Sequence, residues 1–487
     1  MRQSDFAGLT SAPRPYTQGV DKEETQQVPA AEPAVEEAPA TPVAPAPAAP
    51  LPLPLDAIIV GAGVAGLACA LDLTRAGLRV QVLEASDAPG GRMRTDVVDG
   101  FRLDRGFQVL LTDYPEAKRV LDYDALILRN LVPGALVRQS GSFHRFADPY
   151  RELKKALSFA MDPIVPLSDK LKVRKLRADC LNIAEDQLFN LPEETTREFL
   201  RRSGFSQAIL ERFFEPFFGG VFLERNLSSS ARWFRWLFRV FSTGFAAVPE
   251  LGMEEIPRQL ANRLAKGVVR CATRVTEIEK TETGWRVETD TAGSYQTPQV
   301  VMAAREQDAK DLLGKYRKAG AAPPRAWNRT TTIYYAASEA PVDEPVIVLN
   351  GDGPTAGPVN HLAVMSLVAP AYAPPGAHLI CANIVGIAPE TDEAMETLEA
   401  DVRTQLRRWF GNQVNRWAAV GGYPIAYALP SQSNYQRVRP SPVDPDKGDG
   451  IVLCGDYTTS ASIQGALVSG ARASVSILSS AHKSTEK

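Results

Sequence analysis

The stretch from Asp56 to Ser86, DAIIVGAGVAGLACALDLTRAGLRVQVLEAS, constrains the fold more than any other part of the chain. An apolar run from Ala57 to Val60 ends in a glycine turn, a helix-forming segment continues through Ala76 and stops at Gly77, and a second apolar run extends from Arg79 to Leu83. Strand, turn, helix and strand within about 30 residues make one βαβ unit. Gly61, Gly63 and Gly66 fit G-x-G-x-x-G. The first glycine permits a tight turn, the second lets a pyrophosphate approach the backbone, and the third lets helix and strand pack closely. Phosphates would sit at the helix N-terminus, where free N–H groups and the helix dipole favour negative charge. Glu84 lies 18 residues after Gly66, at the end of the second strand. A carboxylate there accepts from both ribose hydroxyls of an adenosine and repels a 2′-phosphate, which disfavours NADP.

Three further segments select a flavin dinucleotide over a nicotinamide one. In APGGRMRT, Gly90 and Gly91 make a bare loop from which Arg92, assisted by Arg94, reaches a pyrophosphate with a planar, permanently charged fork. Near the C-terminus, GIVLCGDYTTSASIQGALVSGARASVSIL repeats the sequence of strand, polar turn and helix. Gly455 allows close approach, Asp456 suits a ribityl or ribose hydroxyl, and a helix starting near Ile463, capped by Ser460 or Ser462, points its positive end at the ligand. Reduced flavin carries negative charge around N1 and the C2 carbonyl, so a helix N-terminus there favours substrate oxidation. Between these ends, VVRCATRVTEIEKTETGWRVETDTAGSYQTPQVVMAA alternates like a β-meander with glycine turns.

The chain resembles the superfamily that contains flavin amine oxidases, protoporphyrinogen oxidases and phytoene-type desaturases, and is most similar to the phytoene-desaturase side. The resemblance runs from Asp56 to about Ser480 and rests on the glycine fingerprint, GGRMRT, GFRLDRG, RVTEIE, ALP and CGDYTTSASIQGALVSG. It implies an α/β protein with a Rossmann-like, glutathione-reductase-type FAD-binding domain and an inserted α+β substrate domain. The FAD-binding domain would be assembled from 55–107, 251–307 and 418–480, and the substrate domain from 108–250 and 308–417. The implied cofactor contacts are Gly61, Gly63, Ala65 and Gly66, then Glu84, Ala85, Gly91 and Arg92. Gly106 and Phe107 would approach the flavin, Val275 would contact the adenine end, Gly455 and Asp456 would lie at the cofactor, and Ile463 and Gln464 would contribute backbone near the pyrimidine edge.

Composition bounds the partners. Residues 1–54 hold 11 of the 37 prolines and 11 alanines, a Pro/Ala-rich tail that cannot bury enough surface to order itself. Residues 481–487 are expected to be a flexible C-terminus. The tail carries three Lys/Arg against seven Asp/Glu, so of the formal net charge of −3, the remainder holds about +1. That lacks the basic excess of a nucleic-acid footprint. No uninterrupted run of about 18 apolar residues exists, which excludes a spanning helix and leaves peripheral membrane contact open. Five scattered cysteines and four isolated histidines show no metal spacing and no redox pair. A reducing, cytoplasmic setting is expected.

From Phe205 to Phe245 there are 12 aromatics in 41 residues, out of 38 in the chain. Such a segment is either a packed helical core or the lining of a pocket for a large apolar molecule. Within it Arg232, Arg235 and Arg239 share one helical face, the pattern of a helix that lies in a membrane interface or of one that solvates its arginines. The family pattern of amine oxidases includes an active-site lysine in the second half of the substrate domain, yet no lysine occurs from Ala319 to Asp446. Tyr423 and Tyr427 are candidates to face the flavin. The expected reaction is hydride transfer from a hydrophobic, isoprenoid- or carotenoid-like molecule to flavin N5, with dioxygen or a quinone as acceptor. Positioning and water exclusion dominate such chemistry, and no catalytic residue is named. Protoporphyrinogen- or amine-oxidase-like chemistry and a non-catalytic flavoprotein are the alternatives.

Overall fold

A computed structural model describes residues 54–148, 151, 162–316, 326–432 and 450–485. The proline-rich tail expected over 1–54 lies outside these residues except for Pro54. Five parallel strands form the central sheet, in the order Val269–Arg270, Val80–Leu83, Ala57–Val60, Val300–Met302 and Ile451–Leu453. Strand period decides what covers each face. Ile58 and Val60 join Leu83, Val300 and Met302 in a cluster with Val275, Ile278, Trp285 and Val287 of the antiparallel meander Val275–Thr281, Gly284–Thr289 and Ser294–Thr297. Ile59 and Val82 point the other way, into a cluster with Leu67, Leu71 and Leu467 of the helices Val64–Arg75 and Ile463–Thr485. Those two helices touch closely because Gly470 has no side chain: a Cβ there would lie 2.4 Å from the Ala65 carbonyl oxygen.

The second body is a seven-stranded sheet in the order Ala418–Pro430, Trp327–Ala337, His378–Val385, Val359–Val364, Ile347–Asn350, Gly134–Gln139 and Ser142–Ala147. Helix Asp392–Phe410 covers one face through Met395, Leu398, Val402 and Leu406. The other face meets the aromatic helix Glu215–Phe222, on which the helix Ala231–Thr243 packs through Phe234 and Phe241, and both belong to the same apolar cluster as the main core.

Two expected boundaries are corrected. Residues 418–430, expected in the third FAD-binding segment, form an edge strand of the seven-stranded sheet, paired antiparallel with Trp327–Ala337 over nearly its whole length. Helix Glu306–Leu313, expected to open the second substrate segment, instead buries Ala309 and Leu313 against the meander, with Tyr316 edge-on to Trp285 at 5.0 Å. Alternating apolar patterns show that a strand exists but not which sheet accepts it. The last helix also runs on to Thr485, through residues expected to be a flexible end.

Asp104 rivets the two bodies together. Its carboxylate accepts from Thr95 Oγ1 at 2.6 Å, Met253 N at 2.9 Å and Tyr372 Oη at 2.7 Å, and its carbonyl accepts from Tyr334 Oη at 2.8 Å. Burial pushes this carboxyl up to about 6, assisted by the charge of Glu254 and opposed by the three hydrogen bonds. A raised folded-state value means that the folded protein holds the proton more tightly than the unfolded chain, so this contribution is full at acid pH and is lost as pH rises from about 4 through 6. Asp104→Asn keeps an acceptor for Thr95 and Met253 without a charge to desolvate. It is expected to gain stability on wild type between pH 4 and pH 7, by on the order of 3 kcal/mol, read as the difference between their urea unfolding curves.

Candidate active site and cofactor cleft

A continuous cavity of about 1820 Å³ runs from the C-terminal edge of the parallel sheet into the second body. That exceeds the roughly 300–1,000 Å³ of a single small-molecule site, so it has room for a dinucleotide and a second molecule together. At the sheet end its wall contains Gly61, Gly63, Ala65, Glu84, Ala85 and Gly91, with Arg92, Val275, Gly455, Asp456 and Ile463 beyond them. Gly106 and Phe107 line it where the two bodies meet. Gly66 and Gln464 are the two expected contacts that the structure keeps off this wall. Gly66 is packed into the strand–helix crossing, and the buried Gln464 side chain accepts the Glu116 N–H at 3.0 Å.

The glycines divide by cause. Gly61 has φ +105°, and a Cβ there would lie 2.8 Å from the Ala303 carbonyl oxygen. A Cβ on Gly66 would come to 2.1 Å from the Gly61 carbonyl oxygen. Protein packing therefore demands both. A Cβ on Gly63 would meet no protein atom within 4 Å, and no side chain caps the helix that starts at Val64. What a side chain at Gly63 would fill is cavity, directly over a helix N-terminus, which is the cradle a pyrophosphate requires. Glu84 stiffens this cradle: one carboxylate oxygen accepts the Ala62 N–H at 2.7 Å, and the other accepts Ser86 N–H at 2.9 Å and its hydroxyl at 2.7 Å.

Across the cleft, Arg92 and Asp456 are paired at 2.7 Å, and Arg92 also donates to the Ala428 carbonyl at 2.8 Å while lying 5.4 Å over the Trp327 ring. The last helix starts as expected, with Ser462 Oγ accepting the Gly465 N–H at 2.9 Å. Arg94, also on the cavity wall, pairs with Asp87 at 3.0 Å and Glu254 at 3.3 Å.

Further in, the wall turns apolar. Phe146, Phe213, Phe217, Phe218, Phe238 and Phe241 line it, with Phe146 stacked on Phe213 at 3.8 Å and Phe217 edge-on to Phe241 at 5.4 Å. The aromatic segment is thus both core and lining. Its arginine edge is not a surface: Arg232 pairs with Glu193 at 3.2 Å, Arg235 lies 5.3 Å over Phe199, and Arg239 donates to the Ile183 carbonyl at 3.1 Å. Of the two readings of this face, a membrane interface or solvated arginines, neither describes it fully, because the three arginines are half-buried and engaged by neighbouring segments. Tyr423 and Tyr427 both line the cavity.

Two constellations escaped the sequence reading. Asp96 accepts twice from Arg105, at 2.9 and 3.0 Å, and once from Tyr423 Oη at 2.7 Å, all three residues standing on the cavity wall. Burial raises the Asp96 carboxyl, but these partners outweigh it and hold it below the usual carboxylate range. His361, 4% exposed, lines the cavity with its ring 4.9 Å from Phe107 and its Nε2 facing Asn383 Nδ2 at 3.2 Å. Asn383 Oδ1 accepts from Thr332 Oγ1, which in turn accepts the Phe107 N–H at 3.2 Å. Burial pushes this imidazole down to about 4, so it is neutral near pH 7. Only strand register brings His361 and Asn383 together, and no local motif announces it.

A glycine cradle at a helix N-terminus, a meander packed on the parallel sheet and a second strand-to-helix turn carrying Asp456 define a dinucleotide-binding fold. The profile of flavin containing amine oxidoreductases matches residues 64–478. The chain belongs to this family, whose members are flavin-dependent oxidoreductases, and FAD is its cofactor. Among curated relatives it is similar to phytoene dehydrogenase of Streptomyces griseus, 55% identical over 53 residues, which is 11% of this chain and 10% of that one. It is also similar to protoporphyrinogen oxidase 2 of Arabidopsis thaliana, 27% identical over 177 residues, 34% and 32% of the two chains. The chain thus spans about a tenth of the length of the first relative and a third of the other. An oxidoreductase from Methanosarcina mazei shares the fold, with a TM-score of 0.67, 16% identity and coverage of 87% of this chain and 100% of that one.

Proposed function

We propose that the protein is an FAD-dependent oxidoreductase that takes hydride from a large hydrophobic molecule of isoprenoid or carotenoid type. The carrying observation is the phenylalanine wall, continuous with the cofactor cleft and formed by side chains of Phe146, Phe213, Phe217 and Phe241. Bound flavin supplies the hydride acceptor. The chain's own residues bind and orient: the glycine loop and Glu84 hold the nucleotide end, Gly106 and Phe107 set the meeting point of the bodies, and the phenylalanines exclude water and align the apolar chain. Short matches to carotenoid desaturases support this substrate class.

The longer match to a protoporphyrinogen oxidase favours a second reading, a porphyrinogen in the same cavity. The reading further places the protein in the cytoplasm, drawing substrate from a membrane that it touches peripherally, with dioxygen or a quinone as acceptor. Leu167 and Leu171, both strongly exposed on one helix, support such a contact. The test is anaerobic bleaching of the bound flavin by polyprenyl hydrocarbons, a porphyrinogen and polyamines. Bleaching by polyprenyl compounds is expected, and bleaching by polyamines alone would overturn the proposal.

A further inference from the structure

Strand register lays out the floor of the cavity. Tyr423, Thr332, Asn383, His361, Leu349 and Val137 are paired in that order from strand to strand across the seven-stranded sheet, so their side chains share one face. The row is polar as far as His361 and apolar from Leu349 onward. Phe107 meets the polar half, through its N–H to Thr332 Oγ1 at 3.2 Å and its ring 4.9 Å from that of His361. In the apolar half Ile347 pairs with Ala135, and Ala135 with Phe146 of the last strand; Leu349, Ile347 and Phe146 all line the cavity. Three strand spacings separate His361 from the strand of Phe146, on the order of 14 Å.

The roof gives a similar span. A Cβ on Gly220 of the helix Glu215–Phe222 would lie 2.8 Å from His361 Nδ1, so this end of the helix stands over the last polar residue of the row. Phe217 and Phe213 continue the stripe away from it, their rings 5.3 Å apart, and seven residues of helical rise put Phe213 about 10 Å from Gly220. There Phe213 lies face to face with Phe146, 3.8 Å between centroids and 10° between ring planes. Roof and floor therefore meet at this pair. The local sequence holds Phe213 in place. Pro216 cannot donate to the Arg212 carbonyl and its ring crowds that carbonyl, so the turn Leu210–Phe214 opens and the Glu215 N–H reaches back five residues to Leu210. Arg212 donates to the Ile164 carbonyl at 2.6 Å, and His144, on the same strand face as Phe146, pairs with Asp162 at 2.9 Å, which ties one segment to both sides of the pair.

We propose that Phe213, held against Phe146 by this widened turn, is the stop on which the end of the apolar chain rests, and so the residue that decides which carbon reaches the flavin. This rests on the reading of the phenylalanine wall as the site of the apolar chain. It adds that the chain lies across the strands rather than along them, and that the oxidised carbon stands about 10 to 15 Å from the chain's terminus.

The experiment uses the FAD-loaded full chain and three alcohols, geraniol, farnesol and geranylgeraniol, whose two, three and four isoprene units bracket that span. With wild type, calorimetry is expected to show affinity rising at least about tenfold from geraniol to farnesol, a fraction of the gain from burying five more carbons, and less than about twofold from farnesol to geranylgeraniol. Phe213→Leu shortens the stop and is expected to give geranylgeraniol a gain of about tenfold or more over farnesol. Phe213→Trp lengthens it and is expected to bring farnesol down to about the level of geraniol. Phe214→Leu, at a fully buried position off the cavity wall, is expected to keep the wild-type profile, and all three variants the wild-type flavin content. Equal gains at each step in wild type, a wild-type profile in both Phe213 variants, or a profile that Phe214→Leu alters as much as Phe213→Leu would overturn the stop while leaving the apolar reading standing, with the chain then passing along Phe241 and Phe245. Failure of all three alcohols to bind wild type would overturn both.

Discussion

Gly66→Ala is expected to give protein without flavin and with stability lowered by about 3 kcal/mol or more, the scale of a forced clash in a packed interior. The added Cβ would sit 2.1 Å from the Gly61 carbonyl oxygen, 3.1 Å from Ala303 Cβ and 3.2 Å from Ile59 Cγ2. None of these can swing aside. Gly61 is tied through its N–H to the Leu83 carbonyl at 2.8 Å, and Ala303 through its own N–H to the Val60 carbonyl at 2.8 Å. Relief therefore requires the helix Val64–Arg75 to move off the sheet, which takes its N-terminus away from the cleft. Gly63→Ala is the control, because φ is −69° and the Cβ enters open space. It is expected to unfold like wild-type apoprotein while retaining much less flavin. Flavin-to-protein absorbance ratios with thermal melts of the apoproteins decide the matter, and wild-type flavin content in Gly66→Ala would refute the assignment.

The contrast between those two glycines also shows why part of this protein was legible in sequence. The βαβ unit is encoded within some 30 consecutive residues, where strand, turn and helix each have a local signature, and Gly61, Gly63 and Glu84 of that unit all line the cleft. Gly66 carried the motif but serves packing, because a motif does not distinguish a ligand's neighbour from a neighbour's neighbour. The arginine edge of Ala231–Thr243 was visible as a pattern, yet its partners come from elsewhere in the chain: Phe199 from the helix Thr196–Arg202, and Ile183 and Glu193 from connecting segments. Long-range pairing decides the remainder. Residues 418–430 found their sheet through Trp327–Ala337, and His361 met Asn383 across paired strands. In each case the chemistry follows from residues far apart in the chain that no spacing connects.

Asp456 is the position where that distant pairing and the cofactor cleft coincide, and its removal is the second large effect expected. The carboxylate is nearly sealed, 3% exposed, at the start of the turn after Gly455, whose φ of +152° and whose close approach to Tyr457 leave no space for a Cβ. Its Oδ1 holds Arg92, whose remaining contacts are the Ala428 carbonyl and the Trp327 ring. Asp456→Ala removes an acceptor for a cofactor hydroxyl and frees Arg92 from the geometry that keeps it beside the glycine loop. Each charge-assisted hydrogen bond is worth roughly 1.5–3 kcal/mol, or about 10- to 100-fold in affinity. FAD affinity should therefore fall about 100-fold or more in Asp456→Ala. Asp456→Asn keeps an oxygen for one partner but loses the charge, and should fall about tenfold. Circular dichroism should be unchanged in both, since Asp456 is not part of the sheet. Equal losses in the two variants would mean that the charge on Asp456, and with it the hold on Arg92, sets retention, whereas unchanged affinity in both would remove Asp456 from the cofactor site altogether.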